Sequence, residues 1–246
     1  MPTKRLRIFA GPNGSGKSSI HKILIENGDI NLGIFVNADE IEKQLKNSLI
    51  LDFSNFGINL NIENLCNAYK DSKFYILSNG KNIINNIHAD KNKLTITSKE
   101  YINSYFTAFI AEYIRVEMLD IVNVITIETV MSHKSKIEYI KLAKSKGYRV
   151  YLYFVATDNV QINIARVQQR VENGGHTVSE DKITSRYQRC LENLFEALTV
   201  SDRAYIFDNS ELYKPIWCAE YDGKNVYLKH SEYPQWIKTY LLNKIN

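Results

Sequence analysis

The sequence has few cysteines and no long hydrophobic segment. Cys66, Cys190 and Cys218 are odd in number and far apart, which argues against both a disulfide framework and the close cysteine pairs of a zinc site. No apolar run approaches the roughly 18 residues that a membrane-spanning helix needs. The apolar stretch after the basic N-terminus is too short for a signal peptide, so we expect a cytoplasmic protein with no membrane partner.

A strong excess of either charge is also missing. The 246 residues include 31 Lys and Arg against 27 Asp and Glu, which gives a net charge of +4. So small an excess does not supply the concentrated basic surface with which proteins bind a phosphate backbone. Nucleic acid is therefore not the partner that we expect.

Predicted strands and helices alternate along most of the chain. Short β-prone runs are followed by segments with apolar residues at helical spacing, a pattern that predicts an α/β fold with a parallel sheet flanked by helices. The predicted strands are 6–10, 34–36, 121–127, 148–155 and 204–207. Residues 51–97 are Asn-rich and weakly periodic, and we interpret them as a mostly helical subdomain inserted into a single domain, 1–246.

Turn and capping patterns place several boundaries. Thr97 and Glu100 form a predicted capping box at the start of a long amphipathic helix. In the C-terminal region 211–246, Asp222-Gly223 predicts a two-residue β-hairpin turn, followed by a final helix. Ser179 is predicted to cap a helix that runs to Leu198.

The segment 11–18, GPNGSGKS, matches the P-loop pattern G-x-x-x-x-G-K-[ST] completely. Glycines let backbone N–H groups turn towards phosphate oxygens, the lysine reaches the β and γ phosphates, and the serine hydroxyl binds Mg²⁺ at a helix start. We therefore predict that ATP and Mg²⁺ bind here, with Ser18 as metal ligand. The predicted nucleotide-binding residues are Gly11, Asn13, Gly14, Ser15, Gly16, Lys17, Ser18 and Ser19.

Two acidic residues follow predicted strands, at the sheet edge where ligands of α/β proteins bind. Asp39 is placed to accept the proton of an attacking hydroxyl. Glu128 is placed to orient a substrate or to hold Mg²⁺ through water. For each of them a helix-capping carboxylate is the alternative interpretation.

Basic residues cluster around a glycine break at 174–176, and two helices joined by such a break are typical of a mobile lid over ATP. The basic residues are Arg166, Arg170, Arg186 and Arg189. Cations are needed there because the transferred phosphoryl group spreads negative charge over three oxygens. A solvated helix face is the alternative for each arginine.

Four segments resemble the zeta toxin family of P-loop kinases. They are GPNGSGKSS, FVNADEI, ITIETVMSH and ARVQQRVENGGHTVSEDKITSRY. The likeness covers about 1–50 and 98–210. It implies a P-loop kinase fold and a kinase that phosphorylates a hydroxyl of UDP-N-acetylglucosamine or a similar small molecule with ATP and Mg²⁺.

The resemblance also implies site roles and a partner. Asp39 would be the general base, Glu128 with Thr129 the substrate anchor, and Arg170 a catalytic lid arginine. Lys17 and Ser18 would contact ATP and Mg²⁺, and a protein antitoxin or inhibitor would be a partner.

The sequence departs from the family pattern at three places. Toxin members have glycine after the strand-end glutamate, where this chain has Thr129. His176 stands near the position of a second lid arginine, for which Arg186 is the substitute. The segment 51–97 and the residues after Ser210 have no counterpart.

A small-molecule kinase is the leading hypothesis from the sequence. Two alternatives stay open: a regulatory or interaction module in which ATP closes the lid without transfer, and a polynucleotide 5′-hydroxyl kinase. A hydroxyl-activating base such as Asp39 separates a kinase from a switch, because a switch does not need one. A basic groove would indicate the polynucleotide kinase.

Overall fold

The computed structural model describes residues 3–26, 31–174, 177–211 and 214–245. Its strands are β1 (Arg5–Ala10), β2 (Ile34–Val36), β3 (Ile50–Asp52), β4 (Ile87–Asp90), β5 (Lys93–Ile96), β6 (Val124–Thr129), β7 (Arg149–Ala156), β8 (Arg203–Asp208), β9 (Ile216–Tyr221) and β10 (Val226–Leu228). Its α-helices are α1 (Lys17–Glu26), α2 (Ala38–Ser48), α3 (Ile62–Asp71), α4 (Lys73–Leu77), α5 (Gly80–Ile84), α6 (Ser104–Ile121), α7 (Ser135–Ser145), α8 (Val160–Glu172), α9 (Glu180–Glu192), α10 (Leu194–Val200), α11 (Gln235–Ile237) and α12 (Asn243–Ile245). None of the helices in these ranges is long and apolar enough to cross a membrane.

The chain divides into two compact units, one of residues 1–33 and 126–246 and the other of residues 34–125. The main sheet has the strand order β10-β9-β8-β7-β1-β6 in the first unit. β1 pairs in parallel with β7, and β7 pairs in parallel with β8. This mostly parallel sheet with flanking helices confirms the predicted α/β class.

Aromatic packing holds α1 against the sheet of the first unit. Phe9 and Tyr153 stack with ring centroids 4.8 Å apart, and Tyr153 stacks on Tyr205 at 5.1 Å. Ile20 of α1 joins this buried cluster. Since α1 follows the P-loop directly, the cluster also fixes where the loop ends.

The C-terminal hairpin adds two antiparallel strands beyond β8, as the sequence predicts, but its turn is longer than expected. Val226 of β10 pairs with Tyr221 of β9, so the turn has four residues, 222–225. The prediction of a two-residue turn is wrong because the Asp222 carboxylate accepts hydrogen bonds from the N–H groups of Lys224 and Asn225 and closes a wider loop.

The second unit contains helices α2 to α6 and a small antiparallel sheet, β3-β5-β4. The segment 51–97 is therefore not only helical, since β4, β5 and most of β3 lie within it. The predicted capping box at Thr97 and Glu100 is also wrong. Helix α6 begins at Ser104, where the Asn103 side chain accepts hydrogen bonds from two backbone N–H groups of the first turn.

Candidate nucleotide-binding site

The P-loop lies between β1 and α1, and each of its three glycines closely approaches atoms of other elements, as Gly11 and Gly16 illustrate. Gly11 has a φ of +150°, and a Cβ there would lie 1.9 Å from the Val155 carbonyl oxygen. Gly16 has a φ of +92°, and a Cβ there would lie 2.1 Å from the Asn209 amide nitrogen. Both positions therefore require glycine for backbone conformation and for space.

Lys17, the first residue of α1, points its ammonium group into the loop. The group donates hydrogen bonds to the carbonyl oxygens of Gly11 at 3.1 Å and Pro12 at 2.9 Å. The residue is only 7% exposed. A buried cation held by two neutral acceptors is suited to binding anionic oxygens that approach the loop.

Ser18 and Glu128 are in direct contact. The Ser18 hydroxyl donates a hydrogen bond of 3.0 Å to the Glu128 carboxylate. His21 packs edge-on against Phe9 one turn further along α1. Burial lowers the pKa of His21 while the negative charge of Glu128 opposes that shift, so the imidazole is mainly neutral near pH 7.

One polar side-chain atom of the loop supports a fit to phosphate. The Ser15 hydroxyl, which can donate a hydrogen bond, is buried without a partner among the described residues. The first N–H groups of a helix also have no acceptor within that helix. Donors at the loop and an ammonium group beside them fit a bound triphosphate.

A magnesium site would rest on few protein ligands. In the described part of the chain no cluster of three or more His, Cys, Asp or Glu residues has the arrangement of a metal site. Mg²⁺ is commonly bound through one or two side chains, waters and substrate phosphates. Ser18 as ligand, with Glu128 beside it, fits that mode of binding.

Glu128 and Thr129 are the last two residues of β6, so Glu128 is not a helix cap. The next helix, α7, begins at Ser135. Between them Met131 is buried and has a left-handed φ of 58°. The Asn193 amide donates a hydrogen bond of 2.9 Å to the Met131 carbonyl oxygen and fixes this turn.

Asp39 belongs to the second unit and is exposed at the start of α2. It is not the cap of this helix, because Asn37 takes that position and its side chain accepts the Asp39 N–H at 2.9 Å. The buried Arg115 of α6 donates to the Val36 carbonyl oxygen at 3.4 Å. The turn before Asp39 is thus anchored by other residues, and its carboxylate is not needed for capping.

The predicted lid corresponds to α8 and α9, which pack through a small apolar cluster that includes Ile164, Val167 and Ile183. Ser179 takes the N-cap position of α9, as predicted, but its side chain makes no capping hydrogen bond. The helix ends at Glu192 and not at Leu198. Gly175 and His176 lie outside the described residues.

The arginines of α8 and α9 differ in their surroundings. Arg166 donates hydrogen bonds to the carbonyl oxygens of Asn209 and Ser210, so it is not a solvated side chain. Burial lowers its pKa, and Asp208 opposes this. Arg170 and Arg189 are exposed in the last turns of their helices, and Arg186 is partly exposed on α9.

Two asparagines that the sequence patterns do not single out contact the loop. The buried Asn163 of α8 donates to the Asn13 carbonyl oxygen at 2.6 Å. Asn209, after β8, donates to the Ser15 carbonyl oxygen at 2.8 Å. Their only sequence signal is position, since Asn209 comes two residues and Asn163 eight residues after the end of a predicted strand.

Comparison with solved structures supports the fold. The chain is similar to AvrRxo1-ORF1 in its complex with AvrRxo1-ORF2, solved with sulphate ions, at 16% identity and a TM-score of 0.56 over 93% of this chain and 62% of that one. The same complex solved with ATP is 16% identical with a TM-score of 0.56, over 92% of this chain and 61% of that one. A structure from the PezAT toxin-antitoxin system of Streptococcus pneumoniae is 15% identical with a TM-score of 0.52, over 98% of this chain and 83% of that one.

Sequence comparison identifies the family. A curated relative, an uncharacterized protein of Haemophilus influenzae (strain ATCC 51907 / DSM 11121 / KW20 / Rd), is 40% identical over 60 residues. Those residues are 24% of this chain and 43% of that protein. The zeta toxin model matches residues 81–215, more than half of the sequence. The predicted resemblance is confirmed, and the chain belongs to the zeta toxin family.

Proposed function

We propose that this chain is an ATP- and Mg²⁺-dependent phosphotransferase that acts on a hydroxyl group of a small molecule, of which a nucleotide sugar such as UDP-N-acetylglucosamine is the leading candidate. The observation that carries the proposal is the P-loop itself, with a buried lysine ammonium directed into it and the Ser18 hydroxyl in contact with Glu128. The family match adds support for a kinase.

The roles follow from the chemistry of each side chain. Lys17 binds the β and γ phosphates, and Ser18 is the metal ligand. Asp39 takes the proton of the acceptor hydroxyl. The hydroxyl oxygen forms a bond to the γ phosphorus while the bond between that phosphorus and ADP breaks. Mg²⁺, when bound, neutralises charge on the phosphates. Glu128 and Thr129 at the end of β6 hold the acceptor or the metal-bound water.

We extend the proposal to the place and the partner of the protein: it acts in the cytoplasm and binds a protein of the antitoxin kind. The partner is supported by the two similar solved proteins, one in complex with a second open reading frame product and the other from a toxin-antitoxin system. Co-purification of the chain with the product of a neighbouring gene, followed by inhibition of transfer, is the result that we expect.

The proposed function is tested by incubating the protein with labelled ATP, Mg²⁺ and a panel of UDP-sugars, nucleosides and oligonucleotides. Label transferred to a UDP-sugar supports the proposal. Transfer to the 5′ end of an oligonucleotide would replace it by a polynucleotide kinase. ATP binding without transfer to any acceptor would favour the regulatory module.

Glu128→Gln is expected to raise the Mg²⁺ concentration needed for half-maximal transfer by about tenfold, the low end of the effect of removing a group that orients metal ligands. The contact with Ser18 motivates this expectation. It is checked by titrating MgCl₂ at fixed ATP, with Glu138→Gln on the exposed face of α7 as control. An unchanged Mg²⁺ requirement with a raised acceptor KM would assign Glu128 to the substrate instead.

Arg170→Ala and Arg186→Ala are each expected to lower kcat by about 10² or more while changing ATP affinity little, because their charge acts on the transition state. Steady-state kinetics over a wide range of ATP check this, with Arg149→Ala, an exposed arginine at the start of β7, as control. The reverse pattern, weak ATP binding with near-normal transfer at saturation, would indicate stacking on adenine.

A further inference from the structure

Two buried side-chain amides hold the P-loop from outside. Asn163 Nδ2 donates to the Asn13 carbonyl oxygen at 2.6 Å, and Asn209 Nδ2 donates to the Ser15 carbonyl oxygen at 2.8 Å. Across a planar trans peptide, the C=O of one residue and the N–H of the next point in opposite directions. Holding these two carbonyl groups outwards therefore turns the N–H groups of Gly14 and Gly16 to the opposite side of the loop, which is the direction that phosphate binding requires.

Each of these asparagines is itself fixed. The Thr157 hydroxyl donates a hydrogen bond to Asn163 Oδ1, and the Asn209 backbone N–H donates to the Ala156 carbonyl oxygen at 2.8 Å. Thr157 is in turn tied to α9, because the Tyr187 hydroxyl donates to its carbonyl oxygen at 2.6 Å. The loop is thus anchored to the end of β7 on both sides.

Arg166 joins the two anchor points. It lies one turn after Asn163 on α8, and its guanidinium donates to the carbonyl oxygens of Asn209 at 2.7 Å and Ser210 at 3.2 Å. Residues three apart lie on the same face of a helix. One face of α8 therefore contacts the loop directly through Asn163 and indirectly through the segment that carries Asn209.

We propose that Asn163, Arg166 and Asn209 are positioning residues that form a brace around the P-loop, and that this brace makes the affinity of the loop for a triphosphate depend on the position of helix α8. The part of the proposal that concerns affinity for a triphosphate rests on the proposed function, whereas the brace itself does not. Arg166 acts in it through a protein backbone and not on the transferred phosphoryl group.

Binding of inorganic tripolyphosphate and of MgATP by calorimetry tests the brace, because tripolyphosphate reports on the loop alone. We expect Asn163→Ala and Asn209→Ala each to weaken both ligands by about tenfold, as for the loss of one buried hydrogen bond. The matched controls are Asn173→Ala at the exposed end of α8 and Arg203→Ala at the start of β8. Equal affinities in variants and wild type, with only a lower melting temperature, would overturn the brace.

A double-mutant cycle tests the role of Arg166. If Arg166 acts through Asn209, Arg166→Ala weakens tripolyphosphate binding several-fold in the wild-type background and less than about twofold in Asn209→Ala. Additive effects would overturn the coupling.

Hydrogen exchange separates the brace from the proposed function, because it needs no ligand. Faster exchange of the amides at 13–18 in Asn163→Ala and Asn209→Ala, with other regions unchanged, supports the brace, and unchanged exchange overturns it. A wild-type protein that binds neither ligand would refute the proposed function and leave the exchange result to decide on the brace.

Discussion

Lys17→Ala is expected to abolish ATP-dependent transfer, with a loss of at least about 10³ in rate, because it removes the cation that the P-loop directs at the β and γ phosphates. In the structure this ammonium is already buried in the loop and held by the carbonyl oxygens of Gly11 and Pro12. The measurement is transfer of label from ATP to the acceptor found in the panel, together with ATP affinity by calorimetry.

The matched control is Lys22→Ala, five residues later on the same helix. Lys22 is exposed and forms a 3.7 Å ion pair with Glu26, so its removal should change neither rate nor affinity measurably. Thermal unfolding of Lys17→Ala shows whether the fold survives. A folded Lys17→Ala variant with wild-type turnover would refute the assignment of the active site to this loop.

Asp39→Asn is expected to lower the transfer rate by about 10² to 10⁴ with little change in ATP affinity, the usual effect of removing a positioned base. The substitution keeps the shape of the side chain, and helix α2 is capped by Asn37 and not by Asp39. The fold should therefore be unaffected. The measurement is kcat and the Kd for ATP, with Glu40→Gln on the next residue as control.

Two outcomes would contradict the role of Asp39 as general base. Transfer at the wild-type rate in Asp39→Asn would show that another group accepts the proton. Loss of ATP binding in the variant would assign Asp39 to the nucleotide and not to the acceptor.

The sequence predicts the parts of the fold in which one pattern determines one structure. Buried parallel strands are continuous apolar runs, and each predicted strand of the main sheet overlaps an observed one, with boundaries within three residues. The P-loop is equally readable, because its glycines and its lysine each meet a separate physical requirement. The family resemblance extends the prediction of site residues from the loop to the segments around Glu128 and the glycine break.

The predicted helix boundaries are wrong where several side chains could each cap or end the helix. Asn103 and not Thr97 begins α6, and Asn193 interrupts the helix predicted to continue to Leu198. Asparagine caps helices about as well as threonine or better, so spacing alone does not choose between such candidates. Tertiary contacts decide, as with the hydrogen bond of Asn193 to Met131.

The brace around the P-loop is invisible in the sequence for a different reason. Asn163 and Asn209 lie about 150 and 194 residues from their partners in the loop, and no local pattern relates residues at such separations. An isolated asparagine after a strand has many uses, most of them capping or turn formation. Only the folded sheet, which brings the ends of β1, β7 and β8 together, gives these two side chains their common role.

The left-handed turn at Met131 has a consequence for how the Glu128 carboxylate is held. A non-glycine residue in this conformation costs about 1 to 2 kcal/mol, and Met131 is 1% exposed, so its buried side chain offsets that cost. The backbone three residues from Glu128 is therefore strained, and side-chain packing together with the hydrogen bond from the Asn193 amide holds it in place. Loosening that packing would let the turn relax towards ordinary geometry, and the carboxylate at the end of β6 would be among the first groups to shift.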